Sequence, residues 1–435
     1  ALLFLLSLPY ETFRWIPLSQ QIKPLSAVVA VVLGVVWVSR RGLDPASRIA
    51  SFLLLWHLAN PAMINEQASL RLYMTRSLLW FGGLMTYVAA VSTIRAFGTE
   101  RSERLILLAW FLPLASAVVQ LVGNVVPGVE PISLGLRGLF TGTRVQDRVT
   151  LLVVEPSISA MQILFLFPFV LRMRWWAGRV AVGVLCVVVL LASLASSGFA
   201  GAVAIATVAV LLRFLQQTRL ASEGAFLQRH LNRRFRRFGL AAIVLIAITI
   251  AVFLSYATGA ARFYLQRFGD FLVAGRQFVS QDASFAVRYN LTLVGLQLFA
   301  ENPLLGVGTG QFGAFWVDAY QALELPALGE IARYMGGNPG GVVPRSFAVL
   351  IASEGGLISL LLLASFLYKA IRPRRLLEMR DLSDYLLVGY VVFTLLNQYS
   401  PHRPLLWVAI AYLGERVRQQ YDSRIRPHIE TEKAA

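Results

Sequence analysis

The run Asn302-Pro303-Leu304-Leu305-Gly306-Val307-Gly308-Thr309-Gly310-Gln311-Phe312 lies within 258–356, the one long segment where the hydrophobic pattern of the chain lapses. The segment carries Arg262, Arg267, Arg276 and Arg288 ahead of the run, and Arg345, Ser346, Glu354 and Gly355 behind it. Asn302-Pro303 closes a helix expected over 284–300, and Gly306, Gly308 and Gly310 predict a tight, irregular backbone. A second Gly/Pro cluster at 336–344 reads as a connector. Everything before and after the segment reads as membrane helix, so this is where polar chemistry has room.

Composition supports that division. Over 435 residues the hydrophobic fraction is 57% and the charged fraction 14%, with a mean hydropathy of +0.64. These values describe a polytopic, all-α membrane protein rather than a soluble domain. The net charge of +17 excludes little by itself, because basic residues flanking apolar spans are what membrane topology requires. No nucleic-acid motif accompanies it, so no nucleic-acid partner is expected. The lone Cys186 leaves no intrachain disulfide, and four scattered histidines give no metal site.

Taking about 20 apolar residues as a span, about twelve are expected: a partial helix at 1–9, then 24–39, 48–64, 77–96, 105–126, 149–171, 178–196, 199–216, 238–257, 346–368, 384–398 and 403–416. The opening run reads as the end of a first helix, with a cleavable signal peptide as the alternative. Arginines gather at 40–48, 95–104, 172–179, 219–237 and 372–380. With twelve spans these clusters and both termini share one face, the cytoplasmic one. The expected organisation is nine spans over 1–257, a large extracytoplasmic loop with short helices over 258–345, three spans over 346–416 and a tail at 417–435. Arg262 and Arg267 alternate with phenylalanines in a pattern suited to an amphipathic helix on the membrane surface. The six arginines of the loop meet six acidic residues, so each must be judged singly.

The run Leu298 through Phe312, with Arg288 ahead of it and Arg345-Ser346 and Glu354-Gly355 behind, resembles the O-antigen ligase and polymerase family. These are bacterial inner-membrane glycosyltransferases acting on glycans carried by undecaprenyl diphosphate. The segment Arg148-Val149-Thr150 to Glu155-Pro156-Ser157 is similar to the pattern of polymerase members. The resemblance implies a periplasmic active site and no cofactor. Its partners would be a lipid-diphosphate glycan donor, a glycan acceptor, the bilayer and a chain-length regulator. Ligase members place a histidine nine residues before the glutamate that corresponds to Glu354, where this chain has Arg345. An arginine stays protonated and cannot be a general base. That departure favours a polymerase joining repeat units over a ligase acting on lipid A core. A lipid-linked sugar transporter or flippase is the rival of another class.

A lipid diphosphate calls for bidentate arginines or free N–H groups in a glycine-rich turn. Arg288, Arg345 and Arg148 are the first choices to bind it, with Arg262, Arg267, Gly306 and Gly308 as further contacts. Arg288 could equally be a surface residue paired with Asp282 or Glu301. Glu155, expected two turns inside a span, is a candidate base or half of a buried ion pair. Glu354, His402, Asp282 and Asp318 are the other candidate bases; His402 stands in a turn between spans, where a histidine can also be merely solvated. Arg137 and Arg144 could assist. His57, inside a span, reads as packed.

Overall fold

The computed structural model describes residues 1–11, 24–60, 70–123, 126–141, 149–153, 155–193, 196–222, 283–326, 329–337, 342–372, 376, 379, 381–397 and 403–434. The expected span at 238–257, the amphipathic segment with Arg262 and Arg267, and Arg148, Arg144, Asp282 and His402 all lie outside those residues. Among the described residues the secondary structure is helical, with no strand.

The first helices in the chain are α1 (Leu2–Ser7), α2 (Leu25–Arg41), α3 (Pro45–Ala59), α4 (Leu70–Phe97), α5 (Thr99–Ala109), α6 (Phe111–Gly123) and α7 (Glu130–Thr141). They are followed by α8 (Pro156–Val170), α9 (Trp176–Ala192) and α10 (Ser196–Ser222). The last are α11 (Ala283–Glu301), α12 (Phe312–Ala322), α13 (Gly329–Gly336), α14 (Phe347–Ile371), α15 (Leu382–Asn397) and α16 (Pro404–Ala434). Among the described residues three stretches are long and apolar enough to cross a membrane: Leu70–Phe97, Thr99–Gly123 and Phe347–Ile371. Shorter apolar helices include α8, α9 and α15. Asp44 starts α3 as a proper cap, its carboxylate accepting from the N–H groups of Ala46 and Ser47 with Pro45 at the first helical position.

Helix α4 packs on α2 and α16, α3 on α14, and α10 on α15, around one large apolar core. A second, smaller core joins α11, α12 and α13. It uses Val287, Leu291, Val294 and Leu298, spaced so that they line one face of α11, against Phe312, Trp316 and Tyr320. Burial pushes the Tyr320 phenol upward, so it stays neutral. Its hydroxyl accepts from Asn290 and donates to the carbonyl of Pro326. Gly295 lets α11 lie close on α14, since a Cβ there would stand 2.4 Å from Val349.

Two irregular segments enter the bundle, and several of their polar backbone groups are paired outside a helix, as a dry interior favours. At 149–153 the expected span is not yet helical. The Gln120 amide accepts from the Thr150 N–H at 2.9 Å and donates to the Thr150 carbonyl at 2.6 Å, and Ser159 accepts from Leu151 N–H. Helix α8 begins only at Pro156, because proline disfavours helical backbone in the residue before it and Glu155 is extended. Glu155 is therefore the residue that starts α8, rather than lying two turns inside a helix.

The second irregular segment interrupts α14, expected as one continuous span. Gly356 has φ 66° and ψ −163° and splits it in two. The exposed carbonyls of the break accept from elsewhere: Ser353 from Val307 N–H at 2.8 Å, Glu354 from Gly308 N–H at 3.1 Å, and Gly355 from the Trp56 indole at 3.0 Å. Leu357 N–H donates in return to Pro303 at 2.7 Å. The glycines are required by proximity, since a Cβ on Gly356 would sit 2.2 Å from the Leu304 carbonyl oxygen and one on Gly306 2.6 Å from that of Ser353.

Charged residues gather at the opposite end of α14 from this break. Arg95 joins Glu415 at 2.7 Å and Asp44 at 3.9 Å. Arg172, after α8, is enclosed by Glu103, Asp381, Asp384 and the Tyr412 hydroxyl.

Candidate functional site

The break in α14 builds a buried polar centre from four elements. Arg76, at the start of α4, places its Nε 3.3 Å from the Glu354 carboxylate. The Asn60 side chain donates to the carbonyls of Leu305 at 2.7 Å and Glu354 at 3.4 Å, and the Asn60 backbone carbonyl accepts from Thr309 N–H. His57 lies in the same place, one ring nitrogen 2.9 Å from the Thr309 hydroxyl and the other 3.3 Å from that of Ser359. It stacks on Trp80 with ring centroids 4.3 Å apart. His57 is thus packed within a helix and also belongs to this centre. Both His57 and Glu354 are fully buried.

This geometry reassigns several candidates. The Gly308 N–H is committed to Glu354 and the Gly306 N–H to Asn302. Neither is free to cradle a diphosphate, and both glycines serve the close approach to the broken helix. Glu354 is sealed from solvent against a cation, with the backbone of Gly310 and Phe312 around it. A general base must meet the hydroxyl it deprotonates, so Glu354 here is a clasp on the break. Glu155 is half-buried, its Oε2 accepting from Ser157 at 3.2 Å, and is more open than Glu354, while Asp318 on α12 is exposed.

The described arginine candidates lie toward the start of α14, about three turns from the break. Arg288 of α11 brings Nη1 within 3.5 Å of the Asn397 side-chain oxygen. Ser346 caps α14 and donates to the Leu395 carbonyl at 3.4 Å. Its neighbour Arg345 donates to the Tyr334 hydroxyl at 3.2 Å and lies 3.7 Å from Glu330 of α13. Both arginines are half-buried. The same end of the fold holds a second buried pair, Arg403 and Glu11 at 3.6 Å, with Gln162 donating to Glu11. Burial pushes the Glu11 carboxyl upward, against the pull of Arg403.

Arg137 is buried on α7. Among the described residues no cluster of histidine, cysteine and acidic side chains could hold a metal ion. Arg76 falls between the expected spans 48–64 and 77–96 and belongs to this centre; its signal in the sequence is a lone cation next to an apolar run, Ser77 to Ile94, that has no other charge. Neither the models of known families nor the characterised proteins compared with this chain match it.

Proposed function

We propose that this chain is a metal-independent membrane glycosyltransferase that lengthens glycans carried on undecaprenyl diphosphate by joining repeat units. The observation that carries the reading is a half-buried Arg288 that reaches Asn397 at the end of α15, with half-buried Arg345 next in the chain to Ser346, whose hydroxyl contacts Leu395 of the same helix. Half-buried arginine forks suit the oxygens of a diphosphate, and their desolvation strengthens the contact. The sequence likeness over 288–355 supports the same assignment.

In this reaction an acceptor hydroxyl attacks the anomeric carbon opposite the diphosphate. The new glycosidic bond forms as the bond to the diphosphate oxygen breaks, its electron pair leaves with the diphosphate, and the configuration inverts. Arg288 and Arg345 neutralise the departing charge. The hydroxyl proton passes to a base, a role we assign to Glu155, whose carboxylate is only half-buried. The site lies on the periplasmic side of the bacterial inner membrane with both termini cytoplasmic, and a chain-length regulator is a further partner. Transfer to lipid A core would be the ligase version of the same chemistry.

One observation favours a second reading. Broken helices with buried charges also build the central sites of transporters, so the Gly356 break suits a flippase for a lipid-linked sugar. Comparison of Arg288→Ala with wild type tests the enzymatic reading: loss of one such donor lowers turnover about 100-fold or more while insertion is unchanged. Near-normal turnover removes Arg288 from the mechanism.

A further inference from the structure

A cavity of about 440 Å³ opens at the far end of α14 from the break, between α3, α4, α14 and α16. Its wall holds Asp44, Glu415, Arg95, Arg418, Lys369 and Arg372. The two acids are already matched, Asp44 and Glu415 by Arg95, and Glu415 again by Arg418 at 2.7 Å. Lys369 and Arg372 are exposed at the rim and form no ion pair among the described residues. Arg372 holds left-handed backbone, φ 52° and ψ 70°, ending α14 where a glycine would be the unstrained choice. That turn keeps its side chain at the cavity. The result is a polar recess with surplus positive charge.

The surroundings decide what kind of anion it takes. Leu357, Leu361 and Tyr368 are exposed and spaced to share one face of α14, ending at Lys369 and the cavity mouth. On the adjacent α3, Phe52 and Leu55 are exposed, and α3 starts at Asp44 in the cavity wall. An outward apolar track therefore runs directly into a cationic recess, with a tyrosine at the join. Basic pockets between apolar helices hold phosphate head groups in this way.

We propose that this recess binds the phosphate of an anionic glycerophospholipid, with an acyl chain lying along the α3 and α14 track. The site is remote from Arg288 and does not rest on the glycosyltransferase reading.

The test uses the purified full chain in detergent, titrated with phosphatidylglycerol, phosphatidylethanolamine or inorganic phosphate and read by native mass spectrometry. Phosphatidylglycerol is retained at least about tenfold better than phosphatidylethanolamine. K369Q/R372N weakens that retention about 30-fold and K369Q alone about fivefold; asparagine tolerates the left-handed backbone. R104Q/R174Q, which removes exposed cations outside the cavity wall, leaves retention unchanged. Should the double variant lose its cooperative melt, K369Q alone decides. Equal retention of the two lipids, no loss with the cavity variants, or equal loss with R104Q/R174Q overturns the proposal. Displacement of the lipid by equimolar inorganic phosphate also overturns it, assigning the recess to a soluble anion.

Discussion

Arg76 and Glu354, 278 positions apart in the chain, meet at the interruption of α14 with Nε 3.3 Å from Oε2 and side chains only 12% and 1% exposed. Their pairing ties the start of α4 to the one place where the longest apolar helix of the C-terminal half loses its own hydrogen bonds. Removing one partner leaves the other buried and uncompensated. Arg76→Met is therefore expected to cost about 3–5 kcal/mol, and Arg76→Met with Glu354→Gln distinctly less. Thermal melts of the single and double variants in detergent check this; a double variant as damaged as the single one argues against the clasp.

The glycines of the break should separate from those elsewhere. A Cβ on Gly356 meets the Leu304 carbonyl at 2.2 Å in left-handed backbone, whereas one on helical Gly82 meets nothing within 4 Å. Gly356→Ala should abolish folded yield, and Gly82→Ala should keep or raise stability by up to about 1 kcal/mol. Size-exclusion profiles and melting temperatures distinguish them.

Two arginines only two positions apart should behave oppositely. Arg172 is enclosed by three carboxylates and a phenol, its side chain 7% exposed, while Arg174 meets Glu100 with both side chains mostly in solvent. Arg172→Gln should cost about 3–5 kcal/mol; Arg174→Gln should cost about 1 kcal/mol or less and be sensitive to salt. Melts at low and high ionic strength supply both comparisons.

The Gln120 clamp on Thr150 offers a fourth test. Gln120→Leu leaves the buried N–H and carbonyl of Thr150 without the partners they have now, which costs about 1–3 kcal/mol for each group. Hydrogen exchange at 149–153 should accelerate in that variant while exchange in α4 stays as it is. Unchanged protection at Thr150 would show that the clamp is dispensable.

Much of this architecture could be read from apolar runs alone, because burial in a dry environment forces helix wherever such runs are long. The expected runs at 24–39 and 384–398 match α2 and α15 to within two residues, whereas the run at 77–96 is only the later part of α4, which starts at Leu70. What escaped was the backbone that leaves the helix inside the bundle. The start of α8 moved to Pro156 since proline restrains the residue before it. The break at Gly356 was hidden in an apolar stretch, although Glu354-Gly355-Gly356 marked it in retrospect. The glycines of 306–310 were legible as irregular backbone, but their N–H groups looked free. Only the fold shows that Ser353 and Glu354 of the broken helix occupy Val307 and Gly308. Likewise, nothing local in the sequence around Arg76 names a partner so far along the chain.

The central claim is that the chain itself forms glycosidic bonds. It is tested by reconstituting the purified protein alone in liposomes with undecaprenyl-diphosphate-linked repeat units and following glycan length over time. The account predicts lengthened lipid-linked glycan with release of undecaprenyl diphosphate, and none with Arg288→Ala. Unlengthened donor that nevertheless crosses the bilayer would contradict it and identify a transporter.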